Sequence, residues 1–386
     1  MRTLLVTGPG GCGRTTAAAA TALTAARAGQ RTLLLSADRE DTLSPVLGDT
    51  GLPGLTTHRV DGAAHFRHEL LALQDRAGAA LDLFGAQRLE GEELTALPGA
   101  DELALLKALR DAAGGAHGAY DLLVVDLPPA PQAIDLLALP AQLRRYVRRL
   151  LPPERQAARA LRPMLAQLAG VPMPAQWLFE TAAHWDEHLA AVQAVIEADT
   201  TAVRLVAEPG PAGADALRTA TTGLALHGLG VELLVANRVL PQDTADPWAA
   251  ALVAQQQKTL AEWRDDCVPG VHEAAHLGRD PRGADDLAAL ALPAPAEEAR
   301  PVAWPVEDRL ADDGFLVWHI PLPGADRDRL GLIRRGDELV VTAGPFRRIV
   351  ALPSVLRRCT VAGAGLTEGE LRIRFAPDPE LWPRTR

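Results

Sequence analysis

Lysine is nearly absent from this 386-residue chain: Lys107 and Lys258 are the only two, so arginine carries almost all of the positive charge. Acidic residues still outnumber basic ones. The formal charge of -10 argues against a nucleic-acid-binding protein, which needs a basic face for phosphates. Cysteine is equally sparse. Cys12, Cys267 and Cys359 lie far apart with no C-x-x-C pair, which argues against a disulfide framework, and no zinc is expected. The N-terminal residues lack a signal-peptide stretch, and no uninterrupted apolar run reaches the length of a membrane span. These absences predict a soluble, cytoplasmic protein with no transmembrane segment. Apolar residues make up 48% of the chain, enough for a sizeable core, and the length calls for two or three domains.

What is present begins near the N-terminus, at Gly8-Pro9-Gly10-Gly11-Cys12-Gly13-Arg14-Thr15-Thr16. A phosphate-binding loop has two glycines five apart, then lysine, then Ser or Thr. Gly8, Gly13 and Thr15 fit, and Arg14 stands at the lysine. The flanks fit as well, with an apolar run at 2–7 and an alanine-rich helical stretch at 14–28. Bare glycine backbone lets N–H groups close on phosphate oxygens, and the helix N-terminus adds partial positive charge. Thr15 would offer its hydroxyl to Mg²⁺ and Arg14 its charge to the phosphates. Arginine is a wide planar fork where lysine is a point charge, so the exchange is not neutral. An ordinary glycine-rich turn is the alternative.

A second apolar run, 32–36, is followed by Asp38, and a third, 122–125, ends in Asp126. An Asp after four buried apolar residues is a Walker B position, where the carboxylate meets Mg²⁺; a cap or turn residue is the plainer reading. Helical composition fills 63–113 and 141–199, and Arg144, Arg145, Arg148 and Arg149 read as a solvated basic face. Strand-like runs at 201–207 and 231–236 end in Glu208-Pro209 and Asn237-Arg238, with a helix at 214–227 between them. A short element near 268–272 and a helix at 285–292 close this unit. The fold class predicted for 1–292 is α/β, a parallel sheet with helical insertions. A Pro- and Ala-rich linker is expected at 293–302, extended rather than packed. A small all-β sandwich is expected at 303–382, from short strands separated by Pro-Gly, Arg-Gly-Asp, Ala-Gly-Pro and Glu-Gly turns.

The first 292 residues resemble the ArsA/GET3 family of P-loop ATPases. Their loop reads G-K-G-G-x-G-K-T-T, and Gly8 to Thr16 match it apart from Pro9 and Arg14 and the free position at Cys12. Ser36 and Asp38 keep only the Ser and Asp of the S-T-D-P-A switch I motif, Asp126 and Pro129 match switch II, and Asn237-Arg238-Val239-Leu240-Pro241 matches a late segment intact. Residues 301–382 are similar to the HSP20-like domain fused to some bacterial members, through Pro321 to Gly324, Gly336 to Val341 and Gly369 to Phe375.

The resemblance implies a dimeric, ATP- and Mg²⁺-dependent ATPase that couples nucleotide state to handling of a protein client. Gly8, Gly10, Gly11, Cys12, Gly13, Arg14, Thr15 and Thr16 would hold phosphates and Asn237 the base. Thr15 and Asp126 would hold Mg²⁺. Asp38 would position the attacking water, and Arg14 would serve the transferring phosphoryl group. The departures at Pro9, Arg14 and Pro131 point to a slow or degenerate ATPase. They also leave open a nucleotide-binding pseudoenzyme that regulates an intact relative in a heterodimer, as against a homodimer. With only Met164 and Met173 beyond Met1, a methionine-lined client groove is not expected, although leucines could line one.

Overall fold

A computed structural model describes residues 1–38, 40–76, 78, 87–116, 118–151, 175–266, 270–296 and 302–382. Arg39, Met164, Met173, Cys267, linker residues 297–301 and parts of the two helical insertions lie outside the described residues. The N-terminal part runs β1 (Arg2–Thr7), α1 (Arg14–Arg27), β2 (Thr32–Ser36), α2 (Leu43–Leu47), β3 (Leu55–Arg59), α3 (Gly62–Arg76), α4 (Ala100–Ala113) and β4 (Leu122–Asp126). It continues through α5 (Ala130–Leu150), α6 (Ala175–Ile196), β5 (Thr201–Ala207), α7 (Pro211–Leu226), β6 (Val231–Val239), α8 (Pro247–Asp266), β7 (Val271–Ala275) and α9 (Gly283–Ala289).

The seven strands form one parallel sheet in the order β3-β2-β4-β1-β5-β6-β7. Its central strands are short runs of Leu and Val because helices cover both faces. Alternate residues serve different cores, as the two-residue period of a strand requires. Leu4 and Val6 of β1 pack with the buried alanines of α1, whereas Leu5 joins the opposite face. Small side chains at Ala17, Ala18, Ala19 and Ala20 let α1 lie close on the sheet. In register, Asp126 pairs with both Val6 and Ser36, so β1, β2 and β4 end at the same level. The loops after them therefore converge at the carboxyl edge of the sheet, where such folds bind ligands.

The C-terminal part is antiparallel: β8 (Val306–Arg309), β9 (Phe315–Pro321), β10 (Leu330–Arg335), β11 (Glu338–Ala343), β12 (Phe346–Ala351), β13 (Cys359–Thr367) and β14 (Glu370–Pro377). Sheets β10-β11-β12 and β13-β14-β9-β8 face each other across Leu316, Trp318, Leu339, Val341, Ile373 and Phe375. Phe346, at the start of β12, packs against Gly223 of α7. A Cβ on Gly223 would stand 2.5 Å from the Phe346 ring and 2.8 Å from Ile134, so glycine is what admits the ring. One continuous apolar core thus joins the sandwich to the parallel-sheet part.

Several details differ from the sequence reading. The stretch read as an extended linker is held down at its start: the fully buried Arg204 donates to the Pro293 carbonyl at 2.9 Å and pairs with Glu232 at 2.6 Å. Ala296 N–H also donates to Glu232, at 2.8 Å. The arginines of α5 are not a free solvated face. Arg144 and Arg148 bridge to Asp186 of α6 at 3.0 and 3.1 Å, and Arg145 bridges to Glu338 of β11 at 2.6 Å. Strand β6 continues through Asn237 and Arg238, with a register break between Ala236 and Val239 and a left-handed Arg238 (φ 58). Such a bulge re-aims side chains at a strand end. Pro131 takes the second position of α5, where its missing N–H has no helical partner to lose.

Candidate functional site

The glycine loop is fastened on three sides. Thr7 Oγ1 donates to the Pro128 carbonyl at 2.8 Å, and Ala130 N–H donates to the Gly8 carbonyl at 2.9 Å. Gly8 lies so near β5 that a Cβ there would stand 1.9 Å from the Val206 carbonyl oxygen. Gly13 is left-handed (φ 89) at the start of α1, and a Cβ there would meet the Asn237 amide at 2.3 Å. A Cβ on Gly10 or Gly11 would meet nothing within 4 Å, and the two form the exposed lip of the loop, with Gly11 left-handed (φ 78). Cys12 faces inward: its thiol donates to the Val206 carbonyl at 3.1 Å, and burial pushes its pKa up to about 11. A thiol so poorly ionised anchors the loop and is no nucleophile.

Behind the loop, Thr15 Oγ1 donates to Asp126 Oδ2 at 2.7 Å, and Ser36 Oγ reaches the same oxygen at 3.4 Å. Asp126 is buried and its Oδ1 has no partner among the described residues. Burial pushes its pKa up to about 6, against hydrogen bonding from Thr15 and the charge of Arg14. A buried carboxylate with a free oxygen, next to a threonine hydroxyl, is the donor set a hard cation takes, so the residues fit Mg²⁺. Asp38 is exposed at the same cleft, accepting from Thr42 Oγ1 at 2.7 Å while its N–H donates to Ser36 Oγ at 3.3 Å. Arg14 Nη1 donates to the Leu127 carbonyl, so the guanidinium is engaged by the segment after Asp126. Arg14, Thr15, Asp38, Asp126 and Gln132 line this cleft of about 520 Å³.

On the other side of α1 lies a second cleft of about 440 Å³, running from Gly13 and Thr16 past Asn237 to His276, Arg279 and Pro281. Asn237 is buried and donates from Nδ2 to the Cys12 carbonyl at 2.8 Å. Arg238 pairs with Glu208 and donates to the Gly11 carbonyl at 3.3 Å. The loop and α1 thus separate a cleft with a carboxylate end from one with an amide end, and the predicted residues divide between the two. The pairing of Arg238 with Glu208 and the wall at 276–282 are absent from the sequence reading. The loop after β7 ends at the same sheet edge as the glycine loop, which is the signal that would have found that wall.

Among the described residues no three His, Cys, Asp or Glu side chains gather as a metal centre. No described helix is long and apolar enough to cross a membrane. A third cleft, of about 320 Å³, opens between α3, α4 and α6, with Phe66, Leu70, Leu73, Leu103, Leu106 and Leu189 in its walls.

The family model described as "Anion-transporting ATPase" (ArsA) matches residues 1–291, and the one described as "HSP20-like domain found in ArsA" matches residues 313–375. An uncharacterized protein of Streptomyces coelicolor is 66% identical over 394 residues, covering 100% of both chains. A protein of Mycobacterium tuberculosis is 32% identical over 439 residues, covering 99% of this chain and 97% of its own. An arsenical pump-driving ATPase of Escherichia coli is 28% identical over 273 residues, covering 67% of this chain and 43% of its own.

Proposed function

This chain belongs to the ArsA family of anion-transporting ATPases, and on that footing we propose that it binds Mg-ATP across the two clefts and hydrolyses it slowly, as a dimer, to handle a protein client. The observation that carries the nucleotide reading is the buried pair Thr15–Asp126, with its unpartnered Oδ1 directly behind a glycine loop that tolerates no Cβ at Gly8 or Gly13. In this reading Gly8 to Thr16 receive phosphates through backbone N–H groups and the start of α1. Thr15 and Asp126 hold Mg²⁺, which when bound offsets phosphate charge. Asn237 faces the base, and Asp38, on the open side of the carboxylate cleft, orients water.

Slowness follows from Arg14. Phosphoryl transfer is mostly positioning and electrostatics, and a guanidinium tied to the Leu127 carbonyl is badly placed to follow charge onto a transferring group. The same contact favours the second reading, a nucleotide-binding pseudoenzyme that regulates an intact relative in a heterodimer. The apolar cleft walled by leucines between α3, α4 and α6 supports a protein client. The three cysteines lie far apart in the sequence, so it carries no cysteine cluster to favour a metal-ion cargo. Single-turnover hydrolysis by the purified chain, beside Asp38→Asn, separates the readings. Slow turnover abolished by Asp38→Asn is the expected result. Binding without turnover in the chain alone, restored by mixing with an intact relative, favours the pseudoenzyme.

A further inference from the structure

A further cleft, of about 660 Å³, lies away from the glycine loop, between the parallel-sheet part and the sandwich. Its apolar wall comes from Leu137 and Ala141 of α5, Ile196 of α6, Leu229, and Trp318 and Val350 of the sandwich. Its polar groups are unusual. Arg348 of β12 is half-buried, and no carboxylate lies within ion-pairing distance of it among the described residues. One guanidinium nitrogen donates to the Leu226 carbonyl at 2.9 Å, and the group stacks over the Trp304 ring at 4.8 Å. No second acceptor meets Arg348 among the described residues. The Trp304 indole Nε1 is buried with no hydrogen-bond partner among the described residues. His227 sits in the same wall, kept neutral because burial, reinforced by Arg348, lowers its pKa to about 4.

A half-buried cation with no carboxylate beside it and a buried donor with no partner are both costly, and native structures normally satisfy such groups. Here both line one cleft of ligand size with apolar and aromatic walls. We propose that this cleft is a binding site for a small organic monocarboxylate with an aromatic or short aliphatic body. The carboxylate would accept from Arg348 and from Trp304 Nε1, and the body would lie against Trp318 and Leu137. One negative charge suits the site better than two, because Glu197 lines the same cleft and already lends Arg348 a distant countercharge. Such recognition uses a planar guanidinium fork, which matches a carboxylate.

The test uses the full-length protein, with benzoate, hexanoate and inorganic phosphate as probes in calorimetry and thermal melts. Benzoate or hexanoate is expected to bind with a dissociation constant below about 1 mM and to raise the melting temperature, while phosphate does neither. Arg348→Met should weaken carboxylate binding at least tenfold, and Trp304→Phe, which keeps an aromatic ring and removes the N–H, severalfold, with ATP affinity unchanged in both. Two results would overturn the proposal. One is the absence of carboxylate binding up to 10 mM. The other is carboxylate affinity unaltered in both variants while their melting temperatures fall, which would make Arg348 and Trp304 interface struts only.

Discussion

Thr15 Oγ1 donates to Asp126 Oδ2 at 2.7 Å across 111 residues of sequence, tying the first turn of α1 to the end of β4. The bond holds a buried carboxylate whose other oxygen is unpartnered, and its protonation sets how the site responds to pH. Because burial raises the Asp126 pKa to about 6, the folded protein holds more protons than the unfolded chain between the ordinary carboxylate pKa and that value. Stability without ligand is therefore greatest below the unfolded pKa and is lost as pH rises through about 6. Asp126→Asn should be more stable than wild type at pH 8, by roughly 1–3 kcal/mol, and near parity at pH 4.5. Urea unfolding in EDTA at the two pH values checks this; a variant less stable at pH 8 than at pH 4.5, relative to wild type, would contradict it.

Arg14→Lys is expected to raise the single-turnover rate more than it raises ATP affinity. Arginine already supplies charge to the bound ground state, so the gain belongs to the transition state. An equal change in rate and affinity, or a slower variant, would remove the explanation given for slow turnover.

Phe346→Ala should destabilise the protein by about 3–5 kcal/mol, the usual loss for a buried aromatic side chain. Phe346 is only 3% exposed and fills the space left by Gly223. For the same reason a chain ending at residue 296 should unfold at lower temperature and aggregate through its bared α5 and α7. Melting curves of both proteins test whether the sandwich shares one core with the ATPase part; an unchanged midpoint for Phe346→Ala would show that it does not.

Gly8→Ala should lose ATP binding and fold poorly, because its Cβ would overlap the Val206 carbonyl. Gly10→Ala, with nothing nearby, should fold normally. Comparing the melting temperatures of the two variants distinguishes a loop shaped by close backbone approach from a merely flexible one; equal values would favour flexibility.

The loop, Asp126 and the late Asn237 were legible because each ends a short apolar run, and the structure brings them to one sheet edge. The turn chemistry of the sandwich was legible for the same kind of reason. Strands β3 and β13 were not. The first reads Leu-Thr-Thr-His-Arg and is half exposed at an edge, and the second carries Gly363 and Gly365 with a bulge beside them. Helix α8 has a weak sequence signal because its alanines and glutamines leave only Val253, Leu260 and Trp263 to mark a buried apolar face. Long-range capture of polar backbone, such as Arg204 on Pro293 and Arg14 on Leu127, has no local signature at all. Those contacts decide whether the stretch after residue 292 is held and whether the Arg14 guanidinium is free.

The central claim is that Thr15 and Asp126 assemble a Mg-nucleotide site on this loop. Calorimetric titration of ATP into the full-length protein, with Mg²⁺ and then with EDTA, tests it most directly when repeated on Thr15→Ala. The account predicts binding that tightens at least tenfold with Mg²⁺ in wild type and a Mg²⁺ effect largely lost in Thr15→Ala. No heat with ATP under either condition, or an undiminished Mg²⁺ effect in the variant, would contradict it.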